Sequence, residues 1–375
     1  MKVVGVIIES NPLHNGHKYL VDKIKQELNP DILIALSSGY FTMRGEISLL
    51  NKKNKTKLLL DLGFDIVIDS PLYLLLNSSE YFANNAVNIL NTAKISHLAF
   101  GIEDSNLTNL HKLVNLFHSS NFQTILNNEL SNKIGYKLAL QNALFKSQTF
   151  TQDEITSLLK SNNTLAIGYL KSLQNFPHII PYAVERYGSD EESNDLSNFP
   201  SGSAIRNAYF QKINISPFLP YSAEYLSNIS DYNNQMSIIF NTLYLKNDTC
   251  SNYLHVSEGI DNYIFNNYAN LTSFTDNINL LANKKYSKSR IRRTILSMIL
   301  QLPKDIPNKF NNIRILGFNK NGEKYLKNIK DNIILKIKQT NNPIWIFELK
   351  ASKLYDIITK ENNNYEEYKF PLKGE

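Results

Sequence analysis

Four short apolar segments alternate with helical patterns over roughly the first 105 residues, and this alternation limits the fold more than any other feature. Runs rich in β-branched and apolar residues predict strands at 3–8, 32–36, 65–68 and 97–101. Apolar residues at helical spacing predict helices at about 15–28, 51–62 and 80–90. Strands that alternate with helices form a parallel sheet with crossover helices. The sequence therefore predicts an α/β fold with a Rossmann-like parallel sheet.

The carboxyl ends of these strands are the expected place for a ligand. In open α/β sheets, ligands bind in the crevice beyond the carboxyl ends of the strands. The segments that follow the four predicted strands are 9–17, 37–39, 69–71 and 101–104. The topology alone thus predicts one crevice that these four segments surround.

The rest of the chain is predicted to be mainly helical. Residues 106–175 show helical patterns, 179–184 are a possible further strand, and 188–198 form a polar stretch typical of a surface loop. Beyond about 215 the pattern is helical and basic, with a possible small α/β piece near 311–375. We therefore expect two units, an α/β unit at 1–215 and a mainly helical extension at 216–375.

Composition restricts the environment of the protein. The 375 residues include 40 Lys and Arg against 34 Asp and Glu, and the net charge of +6 is compatible with a polyanionic partner without identifying one. Cys250 is the only cysteine, which excludes an intrachain disulfide and a cysteine-built zinc site. The apolar N-terminal run ends at Glu9, too early for a signal peptide, and no run approaches the roughly 20 apolar residues of a membrane helix. We expect a cytoplasmic protein that does not contact a membrane.

The main chemical signal is His14-Asn15-Gly16-His17, between the first predicted strand and the first predicted helix. Two imidazoles three residues apart share one face of a helix, and Gly16 lets a phosphate approach the backbone. The N-terminus of the helix adds free N–H donors and a partial positive charge. Such a group of donors can stabilise charge on an α-phosphate while pyrophosphate leaves. The same histidines are also compatible with a metal pair, with Glu9 as a third ligand, or with plain surface residues.

A second signal is the segment 201–206, Ser-Gly-Ser-Ala-Ile-Arg, which follows the polar stretch and leads into a helix. Ser203 is suited to an N-cap, and its hydroxyl can equally bind a phosphate oxygen. Arg206, one turn later, can hold β- and γ-phosphates with its planar guanidinium. The alternative is a capped helix that carries an arginine facing solvent.

The order of these motifs resembles that of the HIGH-type nucleotidyltransferases, which include adenylyltransferases and class I aminoacyl-tRNA synthetases. In this order a strand is followed by HxGH and, further along the chain, by Ser-x-Ser-x-Ile-Arg. Further segments are similar to the family of bacterial tRNA(Met) cytidine acetate ligases, namely 4–17, 38–46, 100–104, 161–163 and 200–206, and more weakly 256–259, 285–291 and 315–319. The resemblance spans nearly the whole chain. Ser10 and Leu13 stand where this family commonly has aromatic residues.

The resemblance implies an enzyme that activates acetate with ATP, with Mg²⁺ on the leaving pyrophosphate. Acetyl-adenylate would then acetylate the wobble cytidine of elongator tRNA(Met), forming N4-acetylcytidine. The implied catalytic residues are His14, His17, Ser203 and Arg206. The implied ATP contacts are Ile7, Ile8, Glu9, Ser10, Asn11, Pro12, Leu13, His14, Asn15, Gly16, His17, Lys18, Tyr19, Leu20, Gly101, Asn162 and Arg186.

A basic segment in the C-terminal part is the candidate tRNA surface. Six cations occur within ten residues, and a tyrosine lies among them: Lys284, Lys285, Tyr286, Lys288, Arg290, Arg292 and Arg293. Such cations neutralise RNA phosphates, and Tyr286 could stack on an unpaired base. Alternatively, these cations form only the solvated face of a helix whose isoleucines are buried on the other side. Such a helix could also contact RNA.

Two other functions remain open from the sequence. A plain adenylyltransferase for a cofactor precursor shares both motifs, but it needs little beyond the sheet and would not explain the long basic C-terminal part. A non-catalytic RNA-binding protein with a nucleotide pocket is the second, and the intact histidines and Arg206 argue against it. ATP turnover separates this second function from the enzymes, and dependence on acetate separates the two enzymes.

Overall fold

The structure is a computed structural model of the chain. It describes all residues except 104–106, 133, 187–195, 197–198, 246–249, 269–272, 307–311, 338–341, 370 and 375. Asp104 and the polar stretch predicted at 188–198, apart from Leu196, lie outside the described residues.

The described elements follow the predicted alternation closely. The strands are β1 (Val3–Ile8), β2 (Ile32–Ser38), β3 (Ile66–Ser70), β4 (His97–Ile102), β5 (Ile180–Glu185), β6 (Ile313–Phe318), β7 (Ile333–Ile334) and β8 (Leu372–Lys373). The helices of the first part are α1 (Asn15–Leu28), α2 (Lys52–Asp61), α3 (Leu72–Leu75), α4 (Ser79–Thr92), α5 (Leu107–Leu116), α6 (Ser120–Ser131), α7 (Tyr136–Ser147), α8 (Gln152–Leu158), α9 (Ser161–Leu173) and α10 (Gly202–Phe210). Those of the second part are α11 (Tyr232–Leu245), α12 (Ile260–Asn267), α13 (Phe274–Leu281), α14 (Lys288–Leu300), α15 (Lys320–Leu326), α16 (Ile344–Thr359) and α17 (Asn363–Glu366).

Five strands form a parallel sheet in the order β5-β4-β1-β2-β3. Strand β1 pairs with β2 on one side, Val3 opposite Ile32, and with β4 on the other, Val4 opposite His97. The chain order therefore reverses at β1, and a crevice opens between the carboxyl ends of β1 and β4. The predicted Rossmann-like fold is confirmed, and the possible strand at 179–184 is β5.

The C-terminal part also contributes to this sheet. Strand β6, fully buried, pairs antiparallel with β3, Ile66 opposite Phe318, while β7 and β8 pair with β6. The small α/β piece expected near 311–375 is thus an extension of the N-terminal sheet, accompanied by α15, α16 and α17. Between 216 and 300 the described elements are helical, as expected. The division into units at 215 stays a prediction.

A buried ionic network joins the two parts of the chain below this sheet edge. The Nζ of Lys52 lies 3.1 Å from Asp69, 2.8 Å from Glu348 and 3.0 Å from Glu367, and Arg314 also contacts Asp69 at 3.1 Å. Burial raises the pKa of Glu348 to about 7 despite the nearby Lys52. Burial opposes ionisation of Glu367 as well, but Arg314 and Lys52 outweigh it and lower that pKa to about 2. Three carboxylates around two cations fix α2, β3, β6 and α16 to one another.

Among the residues that the structure describes, no helix has both the length and the apolar character needed to cross a membrane.

Candidate active site

The turn between β1 and α1 forms the floor of the site. Leu13 is 1% exposed and anchors the turn in the core beneath the sheet. The side chain of Asn11 donates to the carbonyl of Ile47 at 2.9 Å and accepts from the N–H of Leu49 at 2.9 Å. These bonds tie the turn after β1 to the segment after β2. Ser10 has a φ of 49°, an uncommon left-handed conformation for a residue with a side chain.

Helix α1 begins with a capping box made of the two motif histidines. The Nδ1 of His14 accepts from the N–H of Gly16 at 3.1 Å. The Nδ1 of His17 accepts from the N–H of His14, also at 3.1 Å. A ring nitrogen that accepts a hydrogen bond carries no proton, so both neutral rings hold their proton on Nε2. The helix cap therefore fixes the tautomer of both imidazoles and leaves two Nε2–H donors.

The electrostatics of the turn keep both imidazoles neutral. Burial lowers the pKa of His14 well below its ordinary value, and the neighbouring His17, Arg186 and Arg206 lower it further. Burial also lowers the pKa of His17 to about 3, with help from Arg186 and Lys55. The ring centroids lie 4.0 Å apart, so a second positive charge would be repelled by the first. At neutral pH the pair acts as two uncharged donors.

Gly16 makes the histidine arrangement possible. A Cβ at this position would lie 2.9 Å from Cε1 and 3.0 Å from Nδ1 of His14. The sequence pattern predicts that Gly16 admits a phosphate. The structure adds that the missing side chain makes room for the ring of His14.

The second motif begins helix α10, and its N-cap lies two residues before the predicted one. Ser201 is the N-cap, and its Oγ accepts from the N–H of Ala204 at 3.1 Å. The predicted capping role of Ser203 is therefore wrong. Ser203 lies in the first turn, where its Oγ accepts from Arg206 at 3.0 Å. Ser203 and Arg206 therefore belong to one hydrogen-bonded pair that lines the cavity described below.

Arg206 is held in place by the turn after β1 and by a carboxylate to which the sequence pattern assigned no role. It donates to the carbonyl of Asn11 at 2.6 Å and to Glu46 at 2.7 Å. The other oxygen of Glu46 lies 3.2 Å from Arg292. Burial would raise the pKa of Glu46, but Arg206, Arg292 and Arg44 outweigh it and lower that pKa. Glu46 is thus an ionised carboxylate between two guanidinium groups.

A cavity of about 210 Å³ lies between the ends of β1 and β4. It is lined by both motif histidines, Ser203 and Arg206. The other predicted residues that line it are Ile7, Ile8, Glu9, Ser10, Asn11, Gly16, Tyr19, Leu20, Gly101, Asn162 and Arg186. Four predicted ATP contacts lie elsewhere: Pro12 and Leu13 are buried under the turn, Asn15 donates to the carbonyl of Pro217, and Lys18 pairs with Asp22.

The far wall of the cavity is a polar group at the end of β4. The side-chain amide of Asn162 donates to the carboxylate of Glu103, and Arg186 lies 3.5 Å from the same oxygen. A Cβ at Gly101 would lie 3.4 Å from Cγ of Arg186. Arg186 thus lies across the strand end at the cavity wall, within van der Waals reach of Gly101. Glu103 lies in the segment 101–104 that was predicted to border the crevice, but no individual role was predicted for it.

The comparisons with known proteins agree with this geometry. The model of the HIGH Nucleotidyl Transferase family matches residues 1–369. The tRNA(Met) cytidine acetate ligase of Staphylococcus saprophyticus is 30% identical over 97% of this chain and 98% of its own. That of Clostridium perfringens strain SM101 is 31% identical over 97% and 98%. The chain belongs to the tRNA(Met) cytidine acetate ligase family of HIGH nucleotidyltransferases.

Solved structures agree on the fold. Thermotoga maritima TmcAL in its apo form superposes over 100% of both chains with a TM-score of 0.87 and 25% identity. The same protein bound with alpha-thio ATP gives a TM-score of 0.84 at 24% identity. The resemblance found in the sequence is therefore confirmed.

The loop after β2 supplies cavity residues that were not identified individually from the sequence. Thr42, Met43, Arg44 and Glu46 all line the cavity. Two signals pointed to the segment as a whole: 38–46 is similar to the ligase family, and a loop that follows a strand next to β1 opens on the same crevice. Its side chains could not be assigned individually, since the partner of Glu46 is 160 residues away.

Lys55 supports the floor of the site from below. Its side chain is 1% exposed, and its Nζ donates to the carbonyls of Glu9, Ser38 and Gly39 at 3.1, 3.1 and 3.0 Å. Burial lowers its pKa to about 7. The lysine thereby links the turn after β1 to the turn after β2.

The predicted tRNA residues divide into two groups in this ligase-family chain. Lys284, Lys285 and Lys288 are exposed, at and before the start of α14. Arg290, Arg292 and Arg293 lie further along the helix and are half-buried, and Arg292 contacts the cavity residue Glu46. The base-stacking role predicted for Tyr286 is wrong for this structure.

Three contacts explain why Tyr286 is only 4% exposed. Its hydroxyl donates to the carbonyl of Glu258 at 3.1 Å, and its ring packs against Tyr263. The guanidinium of Arg290 lies over the same ring, 5.1 Å from its centroid. The ring is therefore part of the core that supports α14, and it is not open to a base.

Proposed function

We propose that the chain activates acetate with ATP and transfers the acetyl group to the wobble cytidine of elongator tRNA(Met). The observation that carries this proposal is the pair of neutral imidazoles at the start of α1, whose Nδ1 atoms are occupied and whose Nε2–H groups have no partner among the described residues. Their position at the reversal point of a parallel sheet supports nucleotide binding at the same place.

In the first step, a carboxylate oxygen of acetate attacks the α-phosphorus of ATP. A new P–O bond forms, the bond to the β-phosphate oxygen breaks, and pyrophosphate leaves. His14 and His17 donate to phosphate oxygens on which negative charge increases, and Arg206 with Ser203 holds the outer phosphates. Positioning and charge stabilisation account for this step, so no protein nucleophile is required.

In the second step, the exocyclic amine of cytidine attacks the acetyl carbonyl carbon. An amide bond forms, the bond between acetyl and phosphate breaks, and AMP leaves with the electron pair while the amine loses one proton. Arg186 and Asn162, at the opposite wall of the cavity, are suited to hold the nucleotide during both steps.

We further propose that Mg²⁺ accompanies ATP. The described residues contain no group of three His, Cys, Asp or Glu side chains suited to a metal ion. Of the nearby carboxylates, Glu46 is engaged by two arginines. The residues fit an ion whose ligands are mainly phosphate oxygens and water, as Mg²⁺ prefers in nucleotide sites. Such an ion would supply neutralising charge on pyrophosphate.

The tRNA is proposed to approach over α14, where Lys284, Lys285 and Lys288 are exposed. Cations in this position would contact the RNA backbone and make binding dependent on salt. A tRNA substrate also implies that the enzyme works in the cytoplasm. Among the described residues of the site, nothing favours a plain adenylyltransferase or a non-catalytic RNA-binding protein.

ATP–pyrophosphate exchange by the purified protein tests the first step. We expect exchange that depends on acetate and is lost in His17→Ala. The second step is tested by incubation with elongator tRNA(Met), ATP and labelled acetate, which should place label on the wobble cytidine. Exchange without acetate, or with a different acid only, would contradict the proposed substrate. Exchange with acetate but no label on RNA would contradict the proposed acceptor.

A further inference from the structure

Three arginines come together where the ATP cavity meets helix α14. Arg44 lies in the tight turn at 42–46 and lines the cavity, and Arg292 and Arg293 lie on α14. We call these three residues the arginine cluster. The turn packs directly on the helix backbone, because a Cβ at Gly45 would lie 3.1 Å from both the carbonyl carbon of Arg292 and the nitrogen of Arg293. Gly45, with a φ of 74°, is what permits this approach.

One nitrogen of the half-buried Arg293 has no compensating contact within the part of the chain that the structure describes. Its Nε is shielded from solvent and has no hydrogen-bond partner among the described residues. Glu46, the carboxylate of the 42–46 turn, is already shared between Arg206 and Arg292. A buried polar nitrogen without a partner lowers the stability of the folded state. The place of Arg293 next to Arg44, which lines the cavity, makes an anion bound at this point a natural partner.

The charged neighbours of Arg293 are themselves positive. Burial lowers the pKa of Arg293 to about 10, and the positive charges of Arg290 and Arg44 act in the same direction. The group is still protonated at neutral pH. A phosphate bound between Arg293 and the neighbouring arginines would stabilise each of these positive charges.

We propose that the arginine cluster binds a phosphodiester group next to the cytidine that is acetylated, and so holds this nucleotide over the ATP cavity. The inference rests on the proposed function, because it takes RNA to be the acyl acceptor. Two observations favour an RNA phosphate over a phosphate of ATP. The exposed Lys284, Lys285 and Lys288 lie at and just before the start of the helix that carries Arg292 and Arg293. His14, His17 and Arg206 line the cavity and are already proposed as donors for the phosphates of ATP.

The arginine cluster lies between the exposed lysines near the start of α14 and the cavity. The exposed lysines would hold the RNA backbone at a distance from the cavity, whereas Arg44 is itself part of the cavity wall. A phosphate at the cluster is thus at the rim, where the adjoining base can enter. This arrangement assigns Arg293 a role in placing the reacting nucleotide, beyond the general attraction of a basic surface.

The test is RNA binding rather than turnover, so that it does not depend on acetyl transfer. The affinity of a labelled anticodon stem-loop of elongator tRNA(Met) is measured for the wild-type protein and for Arg293→Gln. The same measurement is repeated with RNA in which a neutral methylphosphonate replaces the phosphate on either side of the wobble cytidine. Lys324→Gln, an exposed lysine on α15, is the matched control.

We expect Arg293→Gln to weaken binding by about tenfold, the typical effect of losing one charge-assisted phosphate contact. One of the two methylphosphonates should weaken wild-type binding equally and have no further effect on Arg293→Gln. Lys324→Gln should bind like the wild type. Two results would overturn the proposal. One is a further loss of affinity when Arg293→Gln binds the methylphosphonate RNA, and the other is no loss of wild-type affinity with either methylphosphonate.

Two further measurements show whether the phosphate belongs to ATP and whether Arg293 stabilises the fold. If Arg293→Gln instead raises the KM for ATP or pyrophosphate in the exchange reaction, the phosphate belongs to ATP and the RNA assignment is wrong. Arg293→Gln should keep the wild-type Tm or exceed it, because the substitution removes a half-buried charge whose Nε has no hydrogen-bond partner among the described residues. A lower Tm would show that the arginine stabilises the fold and would also overturn the proposal. If the wild-type protein binds the RNA in this phosphate-dependent way but transfers no acetyl group to it, only the proposed function is contradicted.

Discussion

His14 and His17 hold each other in position through the backbone of the helix that they begin. The imidazole of His17 accepts from the N–H of His14, and the imidazole of His14 accepts from the N–H of Gly16, each at 3.1 Å. The motif therefore has a structural function, to cap α1, and a chemical one, to present two Nε2–H groups. Each histidine uses one ring nitrogen for each function.

Substitution of His17 by asparagine should separate these two functions. The Oδ1 atom of Asn takes the place of Nδ1 and can still accept from His14, but the Nε2–H donor is lost. We expect His17→Asn to keep the wild-type stability to urea while ATP–pyrophosphate exchange falls by about a hundredfold to a thousandfold, the usual effect of removing one such donor. A loss of stability as large as that of His17→Ala would contradict the proposed separation.

The buried histidines also predict how stability depends on pH. Folding lowers the pKa of His17 from its ordinary 6.5 to about 3, so the unfolded chain binds a proton below pH 6.5 that the folded chain does not. Stability should therefore fall as the pH decreases through 6.5, by up to about 2 kcal/mol from this residue between about pH 7.5 and pH 5. Urea unfolding at both pH values checks this, and His17→Asn should show a correspondingly smaller decrease. An equal decrease in the variant would show that other groups account for it.

Gly16→Ala should impair catalysis with little effect on folding. The new Cβ would lie 2.9 Å from the ring of His14 and displace it, which should lower the exchange rate by about a hundredfold. Alanine is favoured over glycine in a helix by about 1 kcal/mol, which offsets the strain. Gly135→Ala is the matched control, because its Cβ would meet no atom closer than 3.7 Å. Wild-type exchange in Gly16→Ala would show that the ring position is not needed.

The ionic network below the sheet edge should be essential for stability. Lys52→Met would leave Asp69, Glu348 and Glu367 with Arg314 as the remaining cation in direct contact among the described residues, and we expect a loss of about 3–5 kcal/mol in the free energy of unfolding. Lys53 is the neighbouring control, since it is exposed and lies 3.6 Å from Glu366. Lys53→Met should change stability by less than about 0.5 kcal/mol. Urea denaturation of both variants measures the difference, and similar values for the two would contradict the role of the network.

Local features of the sequence determined the sheet and the position of the histidines. The strand and helix patterns follow from side-chain periodicity within each segment, and the first turn of a parallel sheet lies at its carboxyl edge. His14, Gly16, His17, Ser203 and Arg206 were therefore identifiable without a structure, and all five line the cavity.

Only the tertiary structure decided which distant residues complete the site. Glu46 meets Arg206 and Arg292 across 160 and 246 residues of chain, and no periodicity encodes such a pairing. The burial of Tyr286 likewise depends on the neighbouring helices, because exposure is set by what packs on a residue. The antiparallel addition of β6 to β3 is a long-range pairing of the same kind. Sequence patterns specify which elements form, and long-range packing specifies which side chains they bring together.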